Sequence, residues 1–432
     1  MKKIPIATLV FVFISCRMIT NDLTVLETKH AKIDEDDISD IFYSFVNSLE
    51  DSQTKVNENK YVLLSMEEMD PETKTISPNK LYELSFLNKS NGEKGFSIIG
   101  KTRGFKDVLV FVPNGEIADT TFNKVLGEYI QSLCRYIEDL NIETKDADVD
   151  MRGEVFYDAD YSSSVIEKEL TYSEAYSYGS QSPFVYDSTV VFEYRNALLR
   201  TQWGQYEPYN NKAKESSKYS NAHFPIGCAS VAVGQLMTFH KYPQFYDWDT
   251  LLSSKRVFKE ETYRSEAVSS FLYDVACALQ IEWIISDGVE VGSTTIDNVK
   301  KGLTMMGYSF DSEYYANSPN HSIKFWDIMG VNLSPVLFSA KDNEDEGHIW
   351  VIDGVLRQSR LYGDVVSEND IDGNCRYFLR VFPVYGYLSH CNWGWNGVDD
   401  GWYYDFHTDW WKIHYKANKR AIYNITPQKN NN

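Results

Sequence analysis

The stretch Phe224-Pro225-Ile226-Gly227-Cys228-Ala229-Ser230-Val231-Ala232-Val233-Gly234-Gln235 constrains this chain more than any other, because one cysteine follows a Pro/Gly turn and opens a helical pattern. Val231, Ala232, Gln235, Leu236 and Phe239 follow at offsets of about 3, 4, 7, 8 and 11, the single-face spacing of a buried α-helix. Lys241-Tyr242-Pro243 then stops it. A thiol in a first helical turn sits beside unpaired N–H groups and the positive end of the macrodipole, which favours the anion and lowers a cysteine pKa from about 8.5. The ordinary alternative is a small buried cysteine at a helix start, and the local pattern leaves both open.

At 432 residues, with 43% apolar and 15% aromatic content, the chain is long enough for two or three domains with substantial cores. A net charge of -20 with no long basic run argues against nucleic acid or an anionic lipid surface as a partner.

Met1-Lys2-Lys3 and the short apolar run Ile4 to Ser15 read as an export signal, too short to span a bilayer comfortably. Ser15-Cys16 resembles a bacterial lipobox, so residues 1-16 are expected to be a signal segment with Cys16 a candidate lipid anchor. The expected location is the bacterial cell envelope, as a lipoprotein, or the secreted medium. After Cys16 five cysteines remain, Cys134, Cys228, Cys277, Cys375 and Cys391. An odd number in an exported chain leaves one thiol free unless chains cross-link, and Cys228 is the candidate. No CxxC spacing or Cys/His cluster suggests zinc, and no metal or organic cofactor is expected.

Residues 24-145 read as a small α+β unit. Ile38, Ile41, Phe42, Phe45 and Val46 have helical spacing, and strand-like runs follow at 61-64, 81-86, 96-100 and 108-112, before helical spacing returns from Phe122 to Leu140. Residues 146-184 shift to acidic, Ser and Tyr composition and read as a linker open to proteolysis. Residues 185-427 hold every chemical candidate. Helical segments come first and strands later, at 335-340 and 348-355, which suggests an α+β domain with a mostly antiparallel sheet.

A thiolate nucleophile needs an imidazole partner and donors for the developing oxyanion. His240 lies twelve positions beyond Cys228, about 18 Å along the same helix. His223 is too close in sequence, and His30 lies in the leading region; His321, His407 and His414 have polar surroundings, while His390 adjoins Cys391 and an aromatic cluster. His348 stands at a turn-strand junction after Gly347, where a stiff apolar strand would fix the ring. Trp203-Gly204-Gln205 places an amide shortly before the nucleophile, and Asn392-Trp393-Gly394-Trp395 supplies a second amide and aromatic walls.

In this order these stretches, with Pro208-Tyr209-Asn210 and Gly347-His348-Ile349-Trp350-Val351-Ile352-Asp353-Gly354, resemble the streptopain family of papain-like cysteine peptidases over about residues 185 to 425. The resemblance implies a papain-like two-subdomain peptidase preceded by an inhibitory α+β pro-domain. It also implies an exported zymogen acting as an endopeptidase on protein or peptide substrates, expected as a monomer. By position, Cys228 would be the nucleophile, His348 its general base and acid, and Gln205 the oxyanion donor. Trp393 would pack over the histidine, and Asn392 is carried as a further orienting candidate. Two local departures are Tyr206-Glu207 after Gln205 and the acidic loop Asp342 to Glu346 before His348. The alternatives are thiol acyl transfer to an amine, or a surface lipoprotein that binds partner proteins through an inactive cleft. Asp370-Ile371-Asp372-Gly373-Asn374 lacks the glutamate that would close a calcium loop and reads as a polar turn.

Overall fold

Alternating apolar residues in the leading region build a four-stranded antiparallel meander in the computed structural model, β1 (Tyr61–Met69), β2 (Lys80–Asn88), β3 (Lys94–Lys101) and β4 (Lys106–Val112). The residues described are 35–49, 60–69, 80–101, 106–117, 129–130, 133–134, 158–179, 184–195, 197–220, 222–314, 326, 328–329, 334–341, 347–404 and 417–428. The signal segment with Cys16 and the acidic loop 342–346 lie outside them, as do His30, His321, His407, His414 and much of the helical pattern from 122 to 140. Helix α1 (Glu35–Leu49) buries Ile38, Phe42, Phe45 and Val46, the apolar positions its spacing marks. Residues 38–432 form one compact unit, apart from 1–37.

Beyond the meander come β5 (Asp158–Ala159), β6 (Val165–Leu170), α2 (Tyr172–Gly179) and β7 (Phe184–Arg195). Next are α3 (Cys228–His240), α4 (Trp248–Leu251), α5 (Thr262–Ala278), the hairpin β8 (Glu282–Ser286) and β9 (Val289–Ser293), and α6 (Ile296–Met305). The chain then runs through β10 (Tyr308–Tyr314), β11 (Val336–Lys341), β12 (Gly347–Asn369), β13 (Cys375–Asn392), β14 (Gly401–Tyr404) and β15 (Ala417–Pro427). The fold is α+β.

One antiparallel sheet runs in the order β1-β2-β3-β4-β14-β13-β12-β11-β15-β10, so the leading meander continues into the later sheet through the pairing of β4 with β14. Trp402 faces Phe111 and Tyr403 faces Val110 across that junction. A buried ion pair between Asp107 on β4 and Arg360 on β12 reinforces it. The strand pattern from 348 extends much further than its apolar core, because β12 and β13 pair along a long hairpin from Val351 with Asn392 to Asn369 with Cys375. Part of the polar stretch read as linker is ordered on this hairpin, where β5 and β6 pair with β13, and β7, which follows it, pairs with β12. Its few aliphatics suffice because backbone hydrogen bonds to existing strands, with a small cluster around Leu170, Ala175, Leu379 and Val381, replace a core of its own.

Side chains of β12 alternate between two cores. Ile349 and Val351 pack with α3 and α5, whereas Trp350 and Ile352 pack with Trp393 and the leading region. Helix α3 lies so deep that every residue from Ala229 to Thr238 is buried, not only the single face its spacing marks. No disulfide joins the described cysteines. Cys375 and Cys391 sit at opposite ends of β13, about 50 Å apart at strand rise, far beyond the reach of a disulfide. Among the described residues, no helix is long and apolar enough to cross a membrane.

Candidate active site

Cys228 is the first residue of α3, and Gly227 before it adopts φ 97. A side chain at 227 would also approach the Gly292 carbonyl to 3.0 Å, so the turn delivering the thiol to the helix start needs glycine twice over. The backbone entering this turn is pinned by Ile226 N–H donating to the Gln205 carbonyl at 2.9 Å and by the Trp283 indole donating to the Pro225 carbonyl at 3.2 Å. Half-buried Cys228 packs against the core that contains Ile349 and Ala229. Ile349 directly follows His348, so the thiol lies against the strand that carries the imidazole.

The His348 ring does not bond that sulfur. Its Nε2 lies 3.1 Å from the Trp393 carbonyl and 3.2 Å from the Trp395 indole nitrogen. One tautomer donates to the carbonyl; the other accepts from the indole. Three tryptophans box the ring: Trp350 and Trp393 lie nearly parallel to it at 5.8 and 6.1 Å, and Trp395 is tilted at 5.6 Å. Trp393 therefore packs on the histidine, while Trp395 and Trp350 add contacts the motif reading left unassigned.

Burial decides the protonation of both groups. It pushes the Cys228 thiol up, outweighing the nearby backbone N–H groups that favour the anion. It also holds the His348 imidazole down at about 4, although the Trp393 carbonyl favours the protonated ring. At neutral pH this arrangement is a neutral thiol beside a neutral imidazole. The ion pair awaits a change in solvation.

Asn392 does not touch His348. Its Oδ1 accepts from Gln235 Nε2 at 2.8 Å and from Gly394 N–H at 3.2 Å, and its Nδ2 donates to the Thr201 carbonyl at 2.9 Å. The distance has a plain cause: β13 ends at Asn392 with its side chain turned under α3, and the chain beyond, at Trp393, supplies a carbonyl to the ring instead. Gln205 is half-buried two residues after the fully buried Trp203, and its carbonyl holds the loop before Cys228.

His390 belongs to a separate buried cluster. Its Nδ1 meets Asp353 Oδ1 at 2.6 Å; Asp353 Oδ2 accepts from Leu199 N–H, and Asp400 Oδ1 accepts from Trp393 N–H at 2.9 Å. Burial opposes charge on His390, but Asp353 and Asp400 outweigh it and raise its pKa; burial pushes Asp400 up to about 7. His240, at the end of α3, is held down at about 4 by burial. Neither histidine is placed to serve Cys228. Among the described residues, no group of three or more His, Cys, Asp or Glu side chains is arranged to hold a metal ion.

The Peptidase C10 family profile matches residues 203–245 and 244–403. The matched region belongs to the Peptidase C10 family. Streptopain of Streptococcus pyogenes is 23% identical over 242 residues, 46% of this chain and 52% of that protein. Streptopain of the M1 serotype of that organism matches with the same identity and coverage. The chain thus spans about half the length of the curated relatives it matches. A prointerpain A fragment of Prevotella intermedia aligns with a TM-score of 0.45 at 16% identity, covering 83% of this chain and 98% of that one. Active interpain A of the same organism aligns at 0.36 and 19% identity, covering 53% and 94%. The C10 match spans Gln205, Cys228, His348, Asn392 and Trp393.

Proposed function

We propose that this chain is the precursor of a cysteine endopeptidase, with residues 185-427 the peptidase domain and 24-145 its intramolecular inhibitor. The carrying observation is that Cys228, at the first turn of a buried helix, packs against the same core as Ile349, the residue next to His348. Nucleophile and imidazole strand share one edge.

His348 Nε2 is held by Trp393 and Trp395, which leaves Nδ1 as the nitrogen to take the thiol proton. In the reaction the Cys228 thiolate attacks the scissile carbonyl carbon, forming the tetrahedral adduct. The Gln205 side-chain amide and the Cys228 N–H hold its oxyanion. The His348 imidazolium gives its proton to the departing amine as the C–N bond breaks, leaving a thioester. Water then attacks with His348 as base, releasing the acid and restoring the thiol. Stacked tryptophans favour the transient imidazolium through their π faces.

The leading region presses on the loop that holds His348. Asn114 donates to the Gly397 carbonyl at 3.1 Å, Asp399 N–H donates to the Asn114 carbonyl at 2.8 Å, and Glu93 pairs with Arg256 at 2.6 Å. These contacts support a role as a latch over the 393–400 loop, released by cleavage within 146-184. Export through residues 1-16, with lipidation at Cys16, and action as a monomer complete the proposal.

The test offers processed enzyme an internally quenched peptide and a labelled amine. Peptide cleavage that Cys228→Ala removes is the expected result. Amine incorporation in place of hydrolysis would make the protein an acyltransferase, and absence of both reactions would leave a binding protein.

A further inference from the structure

Helix α3 carries one amide among the apolar residues of its middle. Gln235 is fully buried two turns below Cys228. Its Nε2 donates to Asn392 Oδ1 at 2.8 Å, and its Oε1 accepts from Trp203 N–H at 3.0 Å and from Asn392 Nδ2 at 3.4 Å. Asn392, itself buried, donates to the Thr201 carbonyl at 2.9 Å and accepts from Gly394 N–H at 3.2 Å. Two side chains therefore bind three backbone segments: the helix of the nucleophile, the 201–205 segment that ends at Gln205, and the 392–395 turn whose carbonyl and indole hold His348. A second set of bonds runs between the last two segments, with Asn396 N–H donating to the Trp203 carbonyl at 3.0 Å and the Tyr209 hydroxyl bonding Asn396 Oδ1 at 2.7 Å. Nothing in that second set reaches α3. Besides apolar packing, the helix that carries the sulfur is registered to both partner segments through Gln235.

An amide pair in such a place is not needed for burial, since a methionine of similar volume would fill the site with less desolvation. What it adds is direction. Each hydrogen bond fixes a relative displacement that apolar contact leaves soft, and unpaired amides in a dry interior are costly enough to forbid alternative registers.

We infer that Gln235 and Asn392 form a positioning clamp that sets Cys228 relative to Gln205 and to the Trp393 turn. The inference rests on the peptidase reading only for its catalytic readout. Gln235→Met removes all three bonds at nearly constant volume; Gln235→Glu keeps the acceptor for Trp203 N–H and Asn392 Nδ2 but sets an oxygen against Asn392 Oδ1 in place of the short Nε2 donor; Asn392→Asp keeps the acceptor for that donor and loses its own donor to Thr201 and to Gln235 Oε1.

The experiment measures, on full-length and processed protein, the pH profile of Cys228 alkylation by iodoacetamide, kcat and KM on a quenched peptide, and the melting temperature. For Gln235→Met, the clamp predicts a kcat lowered about ten- to hundred-fold with KM little changed, and a displaced alkylation midpoint. Asn392→Asp should recover most of the loss, because the link to α3 survives. If Gln235→Met does not fold, Gln235→Glu against Asn392→Asp decides, with the clamp requiring the first to be the more impaired. A lowered melting temperature with unchanged alkylation profile and kcat would overturn the clamp. Alkylation needs no peptidase activity: a shifted profile in a variant of an inactive wild type would retain the clamp and sink the peptidase, and the reverse pattern would sink the clamp alone.

Discussion

His348 and Trp393 are bound twice: the Trp393 carbonyl lies 3.1 Å from the imidazole Nε2, and the indole lies nearly parallel to the ring with centroids 6.1 Å apart. One residue thus fixes the rotation of the ring and shields its face, a task that a separate amide side chain was expected to share. Trp395 completes the arrangement by pointing its N–H at the same nitrogen.

Replacing Trp395 by Phe tests that second contact. The aromatic wall remains while one neutral hydrogen bond, worth about 1 kcal/mol, is lost. The expected result is a fall of about five-fold in kcat/KM with little change in melting temperature, measured on processed enzyme.

The pH dependence of precursor stability follows from His348. Its folded pKa is lowered from 6.5 to about 4, so its neutral form is favoured by folding. That contribution is complete above pH 6.5 and is lost as pH falls towards 4. His240 is lowered to about 4 as well and acts in the same direction. Asp107 and Asp400 are raised from 3.8 to about 7 by burial; their contribution is complete below 3.8 and is lost as pH rises through 7. Thermal melting between pH 7 and 4 should therefore fall less steeply in His348→Gln than in the wild type. Parallel curves would show that His348 titrates as an exposed ring.

Asp107 on β4 and Arg360 on β12 tie the leading region to the C10 region through a buried pair. Removing one partner of such a pair is destabilising, because it takes a charge-assisted hydrogen bond from a buried guanidinium. Asp107→Ala should loosen the precursor, lowering its melting temperature and speeding release of the leading region in a processing time course. The processed enzyme, lacking residue 107, should be indistinguishable from wild type.

Much of this was legible in the sequence. The spacing of Ile38, Phe42, Phe45 and Val46 marks α1, the four short apolar runs mark β1 to β4, and Lys241 with Pro243 marks the end of α3, because each is a local signal. The extension of β12 and β13 and the strands laid on them by residues 158–195 were not legible. Their stability comes from pairing with strands about two hundred positions away, as between Leu170 and Tyr377, and a polar, tyrosine-rich stretch carries no trace of that. Cys228, His348 and Trp393, the candidates named by motif, lie around one strand edge. Asn392 was assigned to the imidazole but serves the helix, since sequence gives the residue and not the direction of its side chain. Gln235 had a signal that passed unread, a polar amide at an offset reserved for buried residues.

The central claim is that Cys228 and His348 carry out peptide hydrolysis together. The most direct measurement incubates purified full-length precursor as wild type, Cys228→Ala and His348→Ala, followed by intact mass and N-terminal analysis. The account predicts a cleaved wild type with a new N-terminus ahead of the C10 region and two variants that stay at full mass. Self-cleavage in the Cys228→Ala protein at the wild-type rate would contradict it.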